Sequence, residues 1–233
     1  MKQIAKITGE IFNYLQLKLK ELNFDSDRKS FDEIKQLLNN NIIFTPEEFA
    51  FECFYVICVA GFRQDCAKTI CNKIVDFAGN NPNFEVNDLL AMYKNTMKVK
   101  AMKNIWDFRA EYQAKFYSLG SDHDQVEFLA TLPHIGNITK HHLARNLGLN
   151  FVKYDIWIQR LGVALCGSRD YVGKINNKKL EPQIKIFCDT MFNNLASITG
   201  EKIGFIDVVL WKACQKKILK IDGTNIYLES LGV

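Results

Sequence analysis

An all-α fold is predicted, on three observations: apolar residues recur at helical intervals almost throughout, helix-entry signals punctuate the chain, and strand-like alternation is nearly absent. Ile4, Ile7, Ile11, Leu15 and Leu22 recur at three-, four- and seven-residue steps, which puts one apolar stripe on a first helix. Ser30 followed by Glu33 makes a capping box, and Thr45-Pro46-Glu47-Glu48 supplies an N-cap, a first-turn proline and two acids suited to the helix dipole. Further helices are expected at about 46–59, 64–78, 87–117, 124–132, 137–147, 155–166, 179–197 and 204–219. The exception is Leu219 to Leu228, where Asp222-Gly223 between apolar residues suits a small β-hairpin. Gly79 to Asn83 is the clearest loop, and with four prolines and no Ser- or Gly-rich stretch no flexible linker divides the chain.

The 233 residues suffice for a sizeable core, and 48% apolar with 24% charged residues excludes a disordered or fibrous class. A net charge of +4 does not by itself announce a nucleic-acid partner, so its distribution matters more. Lys140, His141, His142 and Arg145 follow a glycine-containing turn, while acids gather at Asp25, Asp27, Asp32 and Glu33. His123, His141 and His142 lack triad or metal spacing and read as phosphate contacts or surface residues. Seven cysteines and no signal-peptide pattern suggest a reduced, cytoplasmic setting. Cys53, Cys58, Cys66 and Cys71 lack the tight pairing of metal ligands and read as small buried hydrophobes, so no metal and no cofactor is expected. No apolar run reaches the ~18 residues that span a bilayer, so no membrane partner is expected either.

The most informative stretch is Leu132-Pro133-His134-Ile135-Gly136-Asn137-Ile138-Thr139-Lys140. Pro133 is expected to stop one helix and Gly136 to permit the tight start of the next, giving two helices on a four-residue turn. Such a turn exposes the N–H groups of Gly136, Ile138 and their neighbours at the positive end of a helix dipole, an anion site to which Thr139 and Lys140 add a hydroxyl and a cation. The bland alternative is a helical turn that packs in a core and binds nothing.

This pattern resembles the Leu-Pro-x-Ile-Gly-x-x-Thr signature of the helix-hairpin-helix DNA glycosylases, defined by a Gly/Pro-rich turn and a following Asp. The segment Val152 to Leu161 resembles the family's Val-x-x-Asp-x-His-x-x-Arg-Leu stretch. The resemblance implies a single two-lobed helical domain over 1–233. One lobe spans 45–150 with the hairpin at 124–148, and a second is drawn from 1–44 and 151–233. It further implies a monomer that binds double-stranded DNA through Pro133, His134, Gly136, Ile138, Thr139 and Lys140, flips a base out and excises it, in DNA repair or in phage defence against modified bases.

Asp155 is the catalytic residue that the resemblance implies, since breaking the bond from base to deoxyribose builds positive charge on the sugar, which a carboxylate stabilises. Its other reading is a helix N-cap. In related enzymes that also nick the strand, the Schiff-base lysine lies two positions after the last hairpin glycine, where this chain has Ile138. Lys140 is two residues further on, a rotation of roughly 200°, so lyase activity is not expected. His134 stands where the family commonly has Gly, Tyr154 where Pro is frequent and Trp157 where His is usual. The family's C-terminal four-cysteine cluster is missing, so no iron-sulfur cluster is expected.

Base flipping requires something to fill the gap and something to hold the base. Phe62, Arg63 and Gln64 are the candidate wedge, and Tyr154, Trp157, Asp207 and Trp211 the candidate base pocket; an ordinary loop and ordinary core aromatics are the competing readings. Two other functions fit the same motifs: a base-modifying transferase acting on thymine, and a noncatalytic DNA-binding module.

Overall fold

The computed structural model describes residues 1–25, 28–61, 64–176 and 179–229. It is about 65% helical with one small sheet, and it forms two compact units: Met1–Asn41 with Asn150–Val233, and Ile42–Leu149.

The first unit holds β1 (Lys2–Ile4), α1 (Gly9–Glu21) and α2 (Phe31–Asn39) from the start of the chain. From its end come α10 (Ile156–Cys166), a 3-10 turn at Arg169–Lys174, α11 (Pro182–Thr199), α12 (Ile203–Gln215), β2 (Leu219–Asp222) and β3 (Asn225–Leu228). The hairpin expected at Asp222-Gly223 is present, with Gly223 at φ +55° in its two-residue turn. β1 adds to it as a third, antiparallel strand in the order β1-β3-β2, with Lys2 opposite Leu228. Ile4 therefore belongs to a strand and not to the first helix. That helix begins at Gly9, where the Thr8 hydroxyl accepts the N–H of Ile11 at 3.2 Å.

The core of this unit closes around Phe205, which meets Phe12 and Phe31 edge-on at 6.4 and 5.6 Å, all three rings buried. Each contributes roughly 1.5–3 kcal/mol over an exposed side chain. α10 lies so close on α11 that a Cβ at Gly162 would stand 2.7 Å from Cys188 Sγ and 3.1 Å from its backbone nitrogen. This close approach fixes where α10, and the carboxylate at its start, can sit.

The second unit contains α3 (Pro46–Val59), α4 (Gln64–Asn80), α5 (Val86–Met92), α6 (Thr96–Asp107), α7 (Arg109–Ser118), α8 (Asp122–Leu129) and α9 (Thr139–Asn146). Both capping boxes, Ser30 with Glu33 and Thr45 with Glu48, form as the pattern implies. The single helix expected over 87–117 is three. Tyr93 is extended, the Asn95 side chain accepts the Lys98 N–H to start α6, and Phe108, at φ −102° and ψ 16°, separates α6 from α7. These breaks turn Trp106 inward against Phe54 and Phe84, where its indole N–H donates to the Pro82 carbonyl at 2.7 Å. Burial of Cys53, Cys58 and Cys71 follows expectation; Cys66 is exposed. No helix among the described residues is long and apolar enough to cross a membrane. Among those residues no cluster of three or more His, Cys, Asp or Glu could hold a metal ion.

Candidate functional site

The hairpin joins α8 to α9 through residues 130–138, a longer connection than the four residues expected. α8 ends at Leu129, well before Pro133, because the chain tightens into successive i to i+3 bonds: Ala130 to Glu127, Thr131 to Phe128 and Leu132 to Leu129. Leu132 and Ile135 are buried and pin the turn to the unit's core. His134 between them is left-handed at φ +64°, a conformation that costs any non-glycine residue. Its imidazole pKa is lowered, by burial first and by the charge of Lys98 second.

Gly136 plays a different part from the one expected. It does not have a positive φ, and a Cβ there would meet only Thr139 Oγ1, at an ordinary 3.8 Å. Its N–H is not offered outward but donates to that hydroxyl at 2.7 Å, and the hydroxyl in turn donates to the Gly136 carbonyl at 3.1 Å. Lys140 is likewise turned inward: it is 9% exposed and bonds Glu127 Oε1 on α8 at 2.7 Å. This ammonium lowers the Glu127 pKa. Thr139 and Lys140 therefore brace the motif. What the hairpin offers is backbone: the N–H groups of Asn137, Ile138 and Thr139, at the start of α9, have no acceptor among the described residues. His142, read from the sequence as a surface or phosphate-contacting residue, is buried with its ring edge-on to Tyr55 at 5.8 Å, because it lies on the inner face of α9.

In the other unit Asp155 is the N-cap of α10. Oδ1 accepts the N–H groups of Trp157 and Ile158 at 3.0 and 3.2 Å, which fixes the carboxylate plane. Oδ2 faces the Lys153 ammonium at 3.7 Å, and both side chains are largely covered, 13% and 20% exposed. A local turn, with the Asp155 N–H on the Lys153 carbonyl at 2.7 Å, sets the two side chains together.

The four pocket candidates separate. Asp207, fully buried on α12, accepts the Lys153 N–H on Oδ2 at 3.3 Å. Trp211, half-buried one turn later, has the Lys153 ammonium 5.5 Å from its ring centre and that of Lys212 at 5.3 Å. Trp157 is half-buried with the Arg160 guanidinium 5.3 Å from its ring. Tyr154 belongs to the core: it is 6% exposed and its hydroxyl donates to Asp189 Oδ1 at 2.5 Å on α11. Burial first, then that carboxylate, pushes its phenol pKa well up. Of the wedge candidates, Phe62 and Arg63 lie outside the described residues, and Gln64 opens α4. Lys153 was missed in the sequence. Its signal was a cation two residues before the candidate carboxylate, and only the turn at 153–155 shows that it points there.

Three solved structures share this architecture. The 8-oxoguanine glycosylase/lyase of Methanocaldococcus jannaschii, in complex with a 15mer DNA containing 8-oxoguanine, superposes with a TM-score of 0.64 at 19% identity, over 89% of this chain and all of that one. A second structure of the M. jannaschii enzyme gives 0.63 at 18%, over 91% and 95%. The 8-oxoguanine DNA glycosylase of Thermotoga maritima gives 0.59 at 16%, over 92% and 97%. The chain shares the fold of these 8-oxoguanine DNA glycosylases. No protein-family model and no curated protein sequence matches it.

Proposed function

We propose that this chain is a DNA N-glycosylase that excises a damaged or modified base by hydrolysis and leaves an abasic site. The observation that carries the reading is Asp155: one oxygen locked by two helix N–H groups, the other turned to a cation and able to face a positively charged sugar. Its likeness in fold to DNA glycosylases supports it. In this reading the N–H groups at the start of α9 hold a backbone phosphate of double-stranded DNA. As the bond to the base stretches, charge grows on the anomeric carbon, and a carboxylate that cannot rotate stabilises it without reorganising. The same carboxylate orients the water that completes hydrolysis. Water is the nucleophile because the hairpin supplies no amine: Ile138 stands at the lysine position and Lys140 is held by Glu127.

The test uses duplexes carrying 8-oxoguanine, other lesions and modified pyrimidines. Alkali-labile sites should form with the wild type and vanish with Asp155→Asn; release from none of these substrates defeats the proposal. Asp155 is also a complete N-cap, which favours a second reading, a noncatalytic DNA-binding module. That reading predicts salt-dependent binding with no base release by wild type or variant.

A further inference from the structure

Three lysine-carboxylate pairs flank the elements described above, and they are not alike. Lys140 meets Glu127 at 2.7 Å and Lys185 meets Asp189 at 2.6 Å, both within hydrogen-bond distance. Lys153 stands 3.7 Å from Asp155, beyond that range, so this contact is an ion pair without a hydrogen bond. Its ammonium has a second station over the Trp211 ring. The root of the side chain is tightly fixed, with the backbone N–H on Asp207 and the carbonyl accepting from Asp155. Lys153 is thus fixed at its base, with its ammonium between the Asp155 carboxylate and the Trp211 ring.

A cation in that place opposes the chemistry proposed for Asp155. An ammonium beside Oδ2 offsets the negative charge that should meet the sugar, and it repels the positive charge developing there. The reaction therefore requires the ammonium to leave, and DNA brings a stronger partner for it, the backbone phosphate.

We infer that Lys153 exchanges partners, pairing with the Asp155 carboxylate in the free protein and with a DNA phosphate in the complex, so that gripping the strand uncovers Oδ2. This rests on the glycosylase reading for its ligand, but its test needs only a duplex. The probe is a duplex with a stable abasic-site analogue, titrated by fluorescence anisotropy over a range of salt. The proteins are wild type, Lys153→Met, Lys153→Arg, Asp155→Asn and the double variant of Lys153→Met with Asp155→Asn, with Lys153→Gln replacing the methionine should that one not fold.

Lys153→Met should weaken binding about five- to tenfold at low salt and lower the slope of log affinity against log salt by about 0.9, the signature of one lost phosphate contact. Lys153→Arg should keep the wild-type slope. Asp155→Asn, which keeps the cap, should tighten binding severalfold by releasing the ammonium, and most of that gain should disappear when Lys153 is methionine. An unchanged salt slope in Lys153→Met, or an equal gain from Asp155→Asn in both backgrounds, overturns the exchange. Wild-type protein that does not bind the duplex defeats the glycosylase reading instead. Protein that binds and releases base with a strictly additive cycle defeats only the exchange.

Discussion

At the start of α9 the N–H groups of Asn137, Ile138 and Thr139 face no acceptor among the described residues, whereas at the start of α10 the Asp155 carboxylate takes those of Trp157 and Ile158. The two ends share one backbone chemistry, a set of orphan donors beside a positive dipole end. They differ in what fills them. The N-cap of α9 is Ile138, whose side chain cannot accept, and the Thr139 hydroxyl bonds Gly136, so no side chain caps this end. α10 carries its own anion. In the proposed reading the open end takes a DNA phosphate, while the filled end holds its carboxylate in a fixed orientation.

The two helix ends should respond most differently at Asp155. Asp155→Asn preserves the cap and removes the charge, so base release should fall by about 10²–10³-fold while the melting temperature hardly moves. Equal activity would reduce the α10 end to a structural cap. At the open end, Gly136→Ala adds a methyl that the protein itself accommodates. Stability should stay within ~0.5 kcal/mol, yet DNA affinity should drop about tenfold as the methyl holds a phosphate off the turn. Unchanged affinity in a titration would show that no phosphate reaches this end.

Smaller effects are expected at the residues that brace the two ends. Tyr154→Phe deletes the bond to Asp189 behind the α10 end and should cost about 1 kcal/mol in urea unfolding. Because the folded phenol has its pKa raised, its contribution is present below about pH 10 and lost as pH rises beyond it. The phenylalanine variant should lack that alkaline loss, and an identical alkaline profile would disprove it. Lys140→Met removes the cation that lowers the Glu127 pKa. That stabilisation is present above the ordinary carboxylate range and lost as pH falls through the lowered value. Since Glu127 is 53% exposed, no more than ~0.5 kcal/mol should be at stake in melts from pH 6 to 3.

Much of the molecule was legible from residues acting over a few positions. The boxes at Ser30 and Thr45, the turn at Asp222-Gly223 and the cap reading of Asp155 are local arrangements of donors and acceptors, and each forms as read. The break-up of 87–117 was less legible. Its apolar spacing stays in phase across Tyr93 and Phe108, so periodicity carries no mark of the breaks, although Asn95 was a cap signal within it. The strand at Lys2–Ile4 needed a partner more than 200 residues away, with Lys2 paired to Leu228.

By itself the sequence determined the helical class, the hairpin with its Pro and Gly, and a carboxylate at the head of α10, because capping, proline geometry and helical period act within a single turn of chain. The packing of one helix on another settled that Lys140 faces inward, that Tyr154 is core, and that Lys153 lies against Asp207 and Trp211. The direction of a long polar side chain is settled by whichever partner the fold brings within reach, and that partner lies on another helix.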